Sequence, residues 1–126
     1  MRYLLDSTLL IDHANRDEPA TALLAQLHSE PHQLYICDVV TCEVLSQGDP
    51  GQLQHLRVLL DALEYVSTSP DVARRAADAR RRRHEAGGKM GLGDALIGAV
   101  AADLGAAVVT RNRPDFERQG IEILDY

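Results

Sequence analysis

The sequence predicts an α/β fold, a mostly parallel sheet of about five short strands with helices on both faces. Three observations predict it. Short apolar runs alternate with stretches of helical periodicity, the pattern of repeated βαβ units. The central runs, Leu4-Leu5 and Ala106-Ala107-Val108-Val109, are continuous in apolar residues, which suits strands buried on both faces. A length of 126 residues, 45% hydrophobic and 25% charged, suits one globular domain over 1–126.

The elements follow in order. Arg2 to Leu5 reads as a first strand ending in Asp6, and Ser7-Thr8-Leu9-Leu10-Ile11 as the entry to a helix. Asp6 is placed both to cap that helix and to bind a ligand at the strand's carboxyl end. Pro19 opens a second helix running through Leu27. Gln33 to Cys37 is a second strand, and Asp38 is read as the N-cap of a short helix that carries Glu43 and breaks near Gly48-Asp49-Pro50-Gly51. Leu53, Leu56, Leu59, Leu60 and Leu63 recur at helical spacing before a third strand from Glu64 to Ser67. A helix from Pro70 to about Ala86 stops at Gly87-Gly88, and another from near Leu92 to Leu104 stops at Gly105 with Asp94 in its first turn. Ala106 to Thr110 is a fourth strand, Arg111 to Gln119 a polar connection, and Ile121 to Leu124 a closing strand.

Composition excludes several classes. No stretch is long or apolar enough for a signal-peptide core or a membrane span, so a cytoplasmic protein is expected. Cys37 and Cys42 are too few for a disulfide framework or a structural zinc site, and both are expected to be reduced core residues. A net charge of -6 does not advertise nucleic-acid binding, although the arginines cluster from Arg74 to Arg83 and from Arg111 to Arg118. Arg80-Arg81-Arg82-Arg83 is expected to splay around a helix axis as a solvated face. The five histidines show no ligand spacing, and Asp12 and Asp17 are expected to face solvent.

Four acids stand out by position. Asp6 follows strand one, Glu43 lies in the helix after strand two, Asp94 opens the helix before strand four, and Asp115 follows strand four. In a parallel sheet such positions converge beyond the strands' carboxyl ends, where α/β folds bind ligands. Gathered carboxylates repel one another and raise each other's pKa unless a cation compensates them. Oxygen ligands without a His or Cys cluster suit Mg²⁺ or Mn²⁺, and the chemistry that follows is hydrolysis of a phosphodiester by a metal-activated water. Thr8, Thr110 and Asn112 stand on the same rim to hold water or phosphate. Arg111, Arg113 and Arg118 flank it as candidate phosphate contacts.

The motifs Tyr3-Leu4-Leu5-Asp6-Ser7, Cys42-Glu43-Val44-Leu45, Asp94-Ala95-Leu96-Ile97 and Val109 to Phe116 together resemble the PIN-domain ribonucleases, specifically the VapC toxins of bacterial toxin–antitoxin pairs. The resemblance covers essentially the whole chain. It implies a PIN-like three-layer sandwich and an Mg²⁺- or Mn²⁺-dependent endoribonuclease, with Asp6, Glu43 and Asp94 as metal ligands and either Asp115 or Glu117 as the fourth acid. It further implies an RNA substrate, a VapB-like antitoxin covering the acidic pocket, and a homodimer. The rival readings are a non-catalytic PIN-like module that binds RNA or protein, and a receiver domain. The receiver would need a lysine after a late strand, whereas Lys89 sits in the turn before Asp94.

Overall fold

The computed structural model describes residues 1–126. Five strands, β1 (Arg2–Leu5), β2 (Gln33–Cys37), β3 (Glu64–Val66), β4 (Ala107–Val109) and β5 (Ile123–Leu124), form one sheet in the order β3-β2-β1-β4-β5. Every neighbouring pair is parallel, with Leu4 beside Tyr35 on one side and Val108 on the other. Leu4 and Leu5 point to opposite faces, and so do Val108 and Val109, yet all four are fully buried. The sheet is therefore covered on both sides, as its apolar strand sequences require.

The helices are α1 (Ser7–Ala14), α2 (Glu18–Ser29), α3 (Asp38–Leu45), α4 (Pro50–Asp61), α5 (Pro70–Glu85), α6 (Leu92–Leu104) and α7 (Arg113–Glu117). None is long and apolar enough to cross a membrane. Local chemistry sets their ends. Asp17 accepts from the Ala20 N–H at 3.1 Å, Ser69 accepts from Val72 at 3.1 Å, and Asp49 and Gln52 form a reciprocal capping box. Gly105 terminates α6 at φ 64°, a left-handed conformation that favours glycine. Ala95, Gly98, Ala99 and Ala101 are buried, with Ile97 and Val100, around the middle of α6 and allow close packing.

Four expectations are corrected. Asp38 is the first residue of α3 and not its cap: its carboxylate accepts from the Thr68 N–H at 3.0 Å and hydroxyl at 2.8 Å, tying α3 to the chain after β3. The polar connection after β4 contains α7, whose Phe116 is fully buried and holds that segment to the core. Cys37 is buried, with its thiol pushed up to about 11 by burial, but Cys42 is exposed on α3. Asp12 is half-buried in an ion pair with Arg111, whereas Asp17 faces solvent as expected while also capping α2.

β1 lies between β2 and β4, so the chain winds outward one way through β2 and β3, then returns to β4 and β5 on the other side. The β1/β4 boundary is the switch point, and crossovers leaving in opposite directions open a crevice beyond the carboxyl ends of these two strands. Asp6 and Thr110 are the residues that follow them.

Candidate active site

Asp6 sits where β1 passes into α1, with φ -83° and ψ 158°. It holds the N-cap position of α1, but its carboxylate makes no capping bond. Oδ2 instead accepts from the Thr110 hydroxyl at 2.7 Å and the Thr8 hydroxyl at 3.0 Å, and the Ser7 hydroxyl lies 3.5 Å from Oδ1. The capping expectation for Asp6 is thus corrected, because hydroxyls from the residue after β4 and from α1 compete successfully for the carboxylate. Asp6 is only 2% exposed and Thr110 is fully buried. The two threonine hydroxyls stand 3.2 Å apart and in turn accept main-chain N–H groups, Thr8 from Arg111 at 3.3 Å and Thr110 from Asn112 at 2.9 Å. This network fixes the loop after β4 against the first acid.

The other acids arrive from three more elements. Glu43, on α3, reaches the start of α6, where its Oε2 lies 3.3 Å from the point a Cβ on Gly93 would occupy. Asp94, on the first turn of α6, shares a donor with Asp115 on α7: Asn112 Nδ2 lies 3.3 Å from Asp94 Oδ2 and 3.4 Å from Asp115 Oδ2. Gln119 ties the two backbones by donating to the carbonyls of Asp94 at 3.1 Å and Asp115 at 3.0 Å. Arg118 Nη1 lies 3.6 Å from Asp115 Oδ1.

Electrostatics record the crowding. Burial raises the Asp94 carboxyl most, and its hydrogen bond to Asp115 together with the charges of Asp115, Asp6 and Glu43 brings it to about 7. Glu43 is also raised, first by burial and then by Asp6, against a Ser7 hydrogen bond that lowers it. All four acids therefore share one field. They nevertheless stay apart, and no three Asp, Glu, His or Cys side chains are arranged to hold one metal ion. Asp6 is instead satisfied by the threonine hydroxyls. As a donor set the four acids fit a hard divalent cation, being all oxygen and carrying uncompensated negative charge. Gathering round an ion would require side-chain rotations.

The flanking arginines are already engaged. Arg111 pairs with Asp12 at 2.9 Å, and Arg113 pairs with Glu117 at 2.9 Å and Asp125 at 3.2 Å. Glu117 is therefore held by Arg113, while Asp115 is the acid that faces Asp94. Sequence reasoning missed Ser7, Asp12, Gln119 and Tyr126, whose hydroxyl donates to Asp12 at 2.6 Å. Asp12 alone carried a signal, lying one helical turn beyond Thr8. The histidines are not all solitary either, since His13 and His55 meet Nε2 to Nε2 at 2.9 Å.

A family model described as PIN domain matches residues 3–121, nearly the whole chain. The chain belongs to the PIN domain family. Among PIN-domain relatives, ribonuclease VapC19 of Mycobacterium tuberculosis is 27% identical over 109 residues, spanning 86% of this chain and 87% of that protein. Among solved structures, VapBC2 from Rickettsia felis bound to a DNA fragment from its promoter superposes with a TM-score of 0.83 at 22% identity, covering 100% of this chain and 99% of that one. A toxin–antitoxin complex from Klebsiella pneumoniae superposes with a TM-score of 0.74 at 28% identity, covering 90% and 89%. The PIN fold of this chain is thus the one found in VapC proteins, with a fully parallel five-stranded sheet.

Proposed function

We propose that this PIN-domain chain is an endoribonuclease that depends on Mg²⁺ or Mn²⁺ and acts as the toxin of a toxin–antitoxin pair. The single observation carrying the reading is the Asp94 carboxyl, raised to about 7 by burial and by its neighbours Asp115, Asp6 and Glu43 beyond the carboxyl ends of β1 and β4. Holding four carboxylates close together, Asp6 buried and Asp94 and Asp115 half-buried, is costly without a compensating cation, and the family's known chemistry gives the reason for keeping them. The name of the M. tuberculosis relative supports ribonuclease activity, and the Klebsiella complex supports a partner of antitoxin type.

In this reading Asp6, Glu43, Asp94 and Asp115 hold the metal, which when bound lowers the pKa of a water and offsets the charge of the scissile phosphate. Thr8 and Thr110 fix the rotamer of Asp6 by donating to Oδ2, while Oδ1 meets only the more distant Ser7 hydroxyl at 3.5 Å. Asn112 holds Asp94 and Asp115 side by side, and Arg118 restrains Asp115. A VapB-like antitoxin covering the four acids, and a homodimer, complete the reading.

The test is cleavage of total cellular RNA by antitoxin-free protein with Mg²⁺, with Mn²⁺ and with excess chelator, beside Asp94→Asn. Discrete fragments that need both metal and Asp94 are expected. Full activity in Asp94→Asn would overturn the site. A second reading, a PIN-like module that binds RNA or protein without cutting, is favoured by the open arrangement of the acids. Folded wild-type protein that binds RNA but yields no fragments with either metal would favour that module.

A further inference from the structure

Arg75, Ala79, Arg82, Arg83 and Ala86 recur at the helical period, so they share one face of α5. That face borders a cavity of about 380 Å³ closed by α6 and by the chain leaving α7, which contributes Arg118 and Gln119. Four arginines line it and no acid does, on a chain whose net charge is -6. Arg74, Arg111 and Arg113 each pair with a carboxylate within 3.2 Å, and Arg118 of the cavity stands 3.6 Å from Asp115. Arg75, Arg82 and Arg83 pair with none, and the buried Nε of Arg83 has no hydrogen-bond partner. Its guanidinium lies so close to the turn after α5 that a Cβ on Gly88 would stand 2.1 Å from Arg83 Cζ. Cations gathered in a concavity, one with an unsatisfied buried donor, create a site for an anion.

The cavity also shares a wall with the acid site. Gln119, which lines it, donates to the carbonyls of Asp94 and Asp115, and Arg118 stands 3.6 Å from the Asp115 carboxylate. An anion held here lies along the surface that continues into the four acids. Guanidinium forks match the bidentate geometry of a phosphodiester, and the alanines between them give a sugar or base an apolar surface.

We infer that this arginine-lined cavity between α5, α6 and the end of α7 holds a backbone phosphate of the RNA strand whose neighbouring segment reaches the acid site. The inference rests on the nuclease reading above, and it moves the phosphate-binding role from Arg111 and Arg113, which carboxylates already occupy, to the unpaired arginines of α5.

The experiment measures anisotropy of a short fluorescein-labelled single-stranded RNA titrated with the full chain in excess chelator, which stops cleavage, over a series of salt concentrations. Arg75 and Arg82 are exposed, so Arg75→Gln/Arg82→Gln should fold as the wild type does. Removing two phosphate contacts is expected to raise Kd roughly tenfold and to flatten the slope of log K against log salt by about 1.4, at about 0.7 per contact for a single strand. A control with the same charge change, Arg57→Gln/Arg74→Gln, should stay within about twofold of wild type. Equal weakening in both double variants, or none in the first, overturns the inference. Metal-dependent cleavage by the wild type, run alongside, keeps the two readings apart. If the wild type cuts RNA while Arg75→Gln/Arg82→Gln binds unchanged, the cavity assignment alone fails. If the wild type neither cuts nor binds, both fail. Unchanged RNA binding accompanied by altered self-association on gel filtration would assign the cavity to a second copy, and lost stabilisation by inorganic phosphate alone would assign it to a small free anion.

Discussion

Asp94→Asn should stabilise the metal-free protein, and by an amount that depends on pH. Asp94 carries a carboxyl raised from 3.8 to about 7, chiefly by burial and by Asp115. Because the folded value exceeds the unfolded one, the native state keeps a proton over the interval in which the unfolded chain has lost it. The contribution of Asp94 to stability is therefore fully present below about pH 4 and is lost as pH rises to 7. At about 1.4 kcal/mol per pH unit the shift has an upper bound of about 4 kcal/mol, which solvent screening at a half-buried group reduces to about 1–2 kcal/mol. Asparagine keeps the shape, still donates toward Asp115 and never ionises. Thermal melts by circular dichroism in excess chelator should show the variant and wild type equal near pH 4.5, with the variant about 3–8 °C higher at pH 8. A difference that does not change between those pH values, or a wild type that is the more stable at pH 8, would refute the idea that the four acids share one uncompensated field.

Adding Mg²⁺ or Mn²⁺ at pH 8 should reverse that order: the wild type gains stability with rising metal concentration and Asp94→Asn does not, as read by the same melts. Thr110→Val removes the 2.7 Å donor to the buried Asp6 carboxylate and should cost about 1–3 kcal/mol in urea unfolding at neutral pH, whereas Thr110→Ser should restore most of it. Gly98→Ala places a Cβ 2.1 Å from Gln119 Oε1, displacing the side chain that ties α6 to α7; a loss of about 1–3 kcal/mol is expected, relieved by Gln119→Ala in the same chain. Phe116→Ala should destabilise by about 3–5 kcal/mol, since this fully buried ring anchors α7 and hence Asp115.

The strands and long helices were legible because their signals are local. Apolar runs such as Tyr3-Leu4-Leu5 and Ala107-Val108-Val109 need no partner to be recognised, and Pro70, Gly87 and Gly105 punctuate helices by backbone conformation alone. The segment α7 was not legible, because a five-residue helix has too few periods to show a stripe and exists through the burial of Phe116. Asp38 was misread for a related reason. A carboxylate at a helix start can accept from the first-turn N–H groups or from elsewhere, and the rival donor, Thr68, is 30 residues away.

The candidate site divides along the same line. Residue order alone placed Asp6, Glu43, Asp94 and Asp115 on elements that a parallel sheet directs to one end, because strand polarity and helix position are properties of the chain itself. Which groups each acid meets was decided by tertiary packing. Thr8 and Thr110 take the Asp6 oxygen that a cap would have used, Asn112 and Gln119 hold Asp94 against Asp115, and carboxylates claim Arg111 and Arg113 while Arg75, Arg82 and Arg83 of α5 stay unpaired. Periodicity carries burial, since the apolar face of an element is written along it. The pairing of polar groups is a competition among all donors and acceptors within about 3 Å, and only the folded chain brings those competitors together.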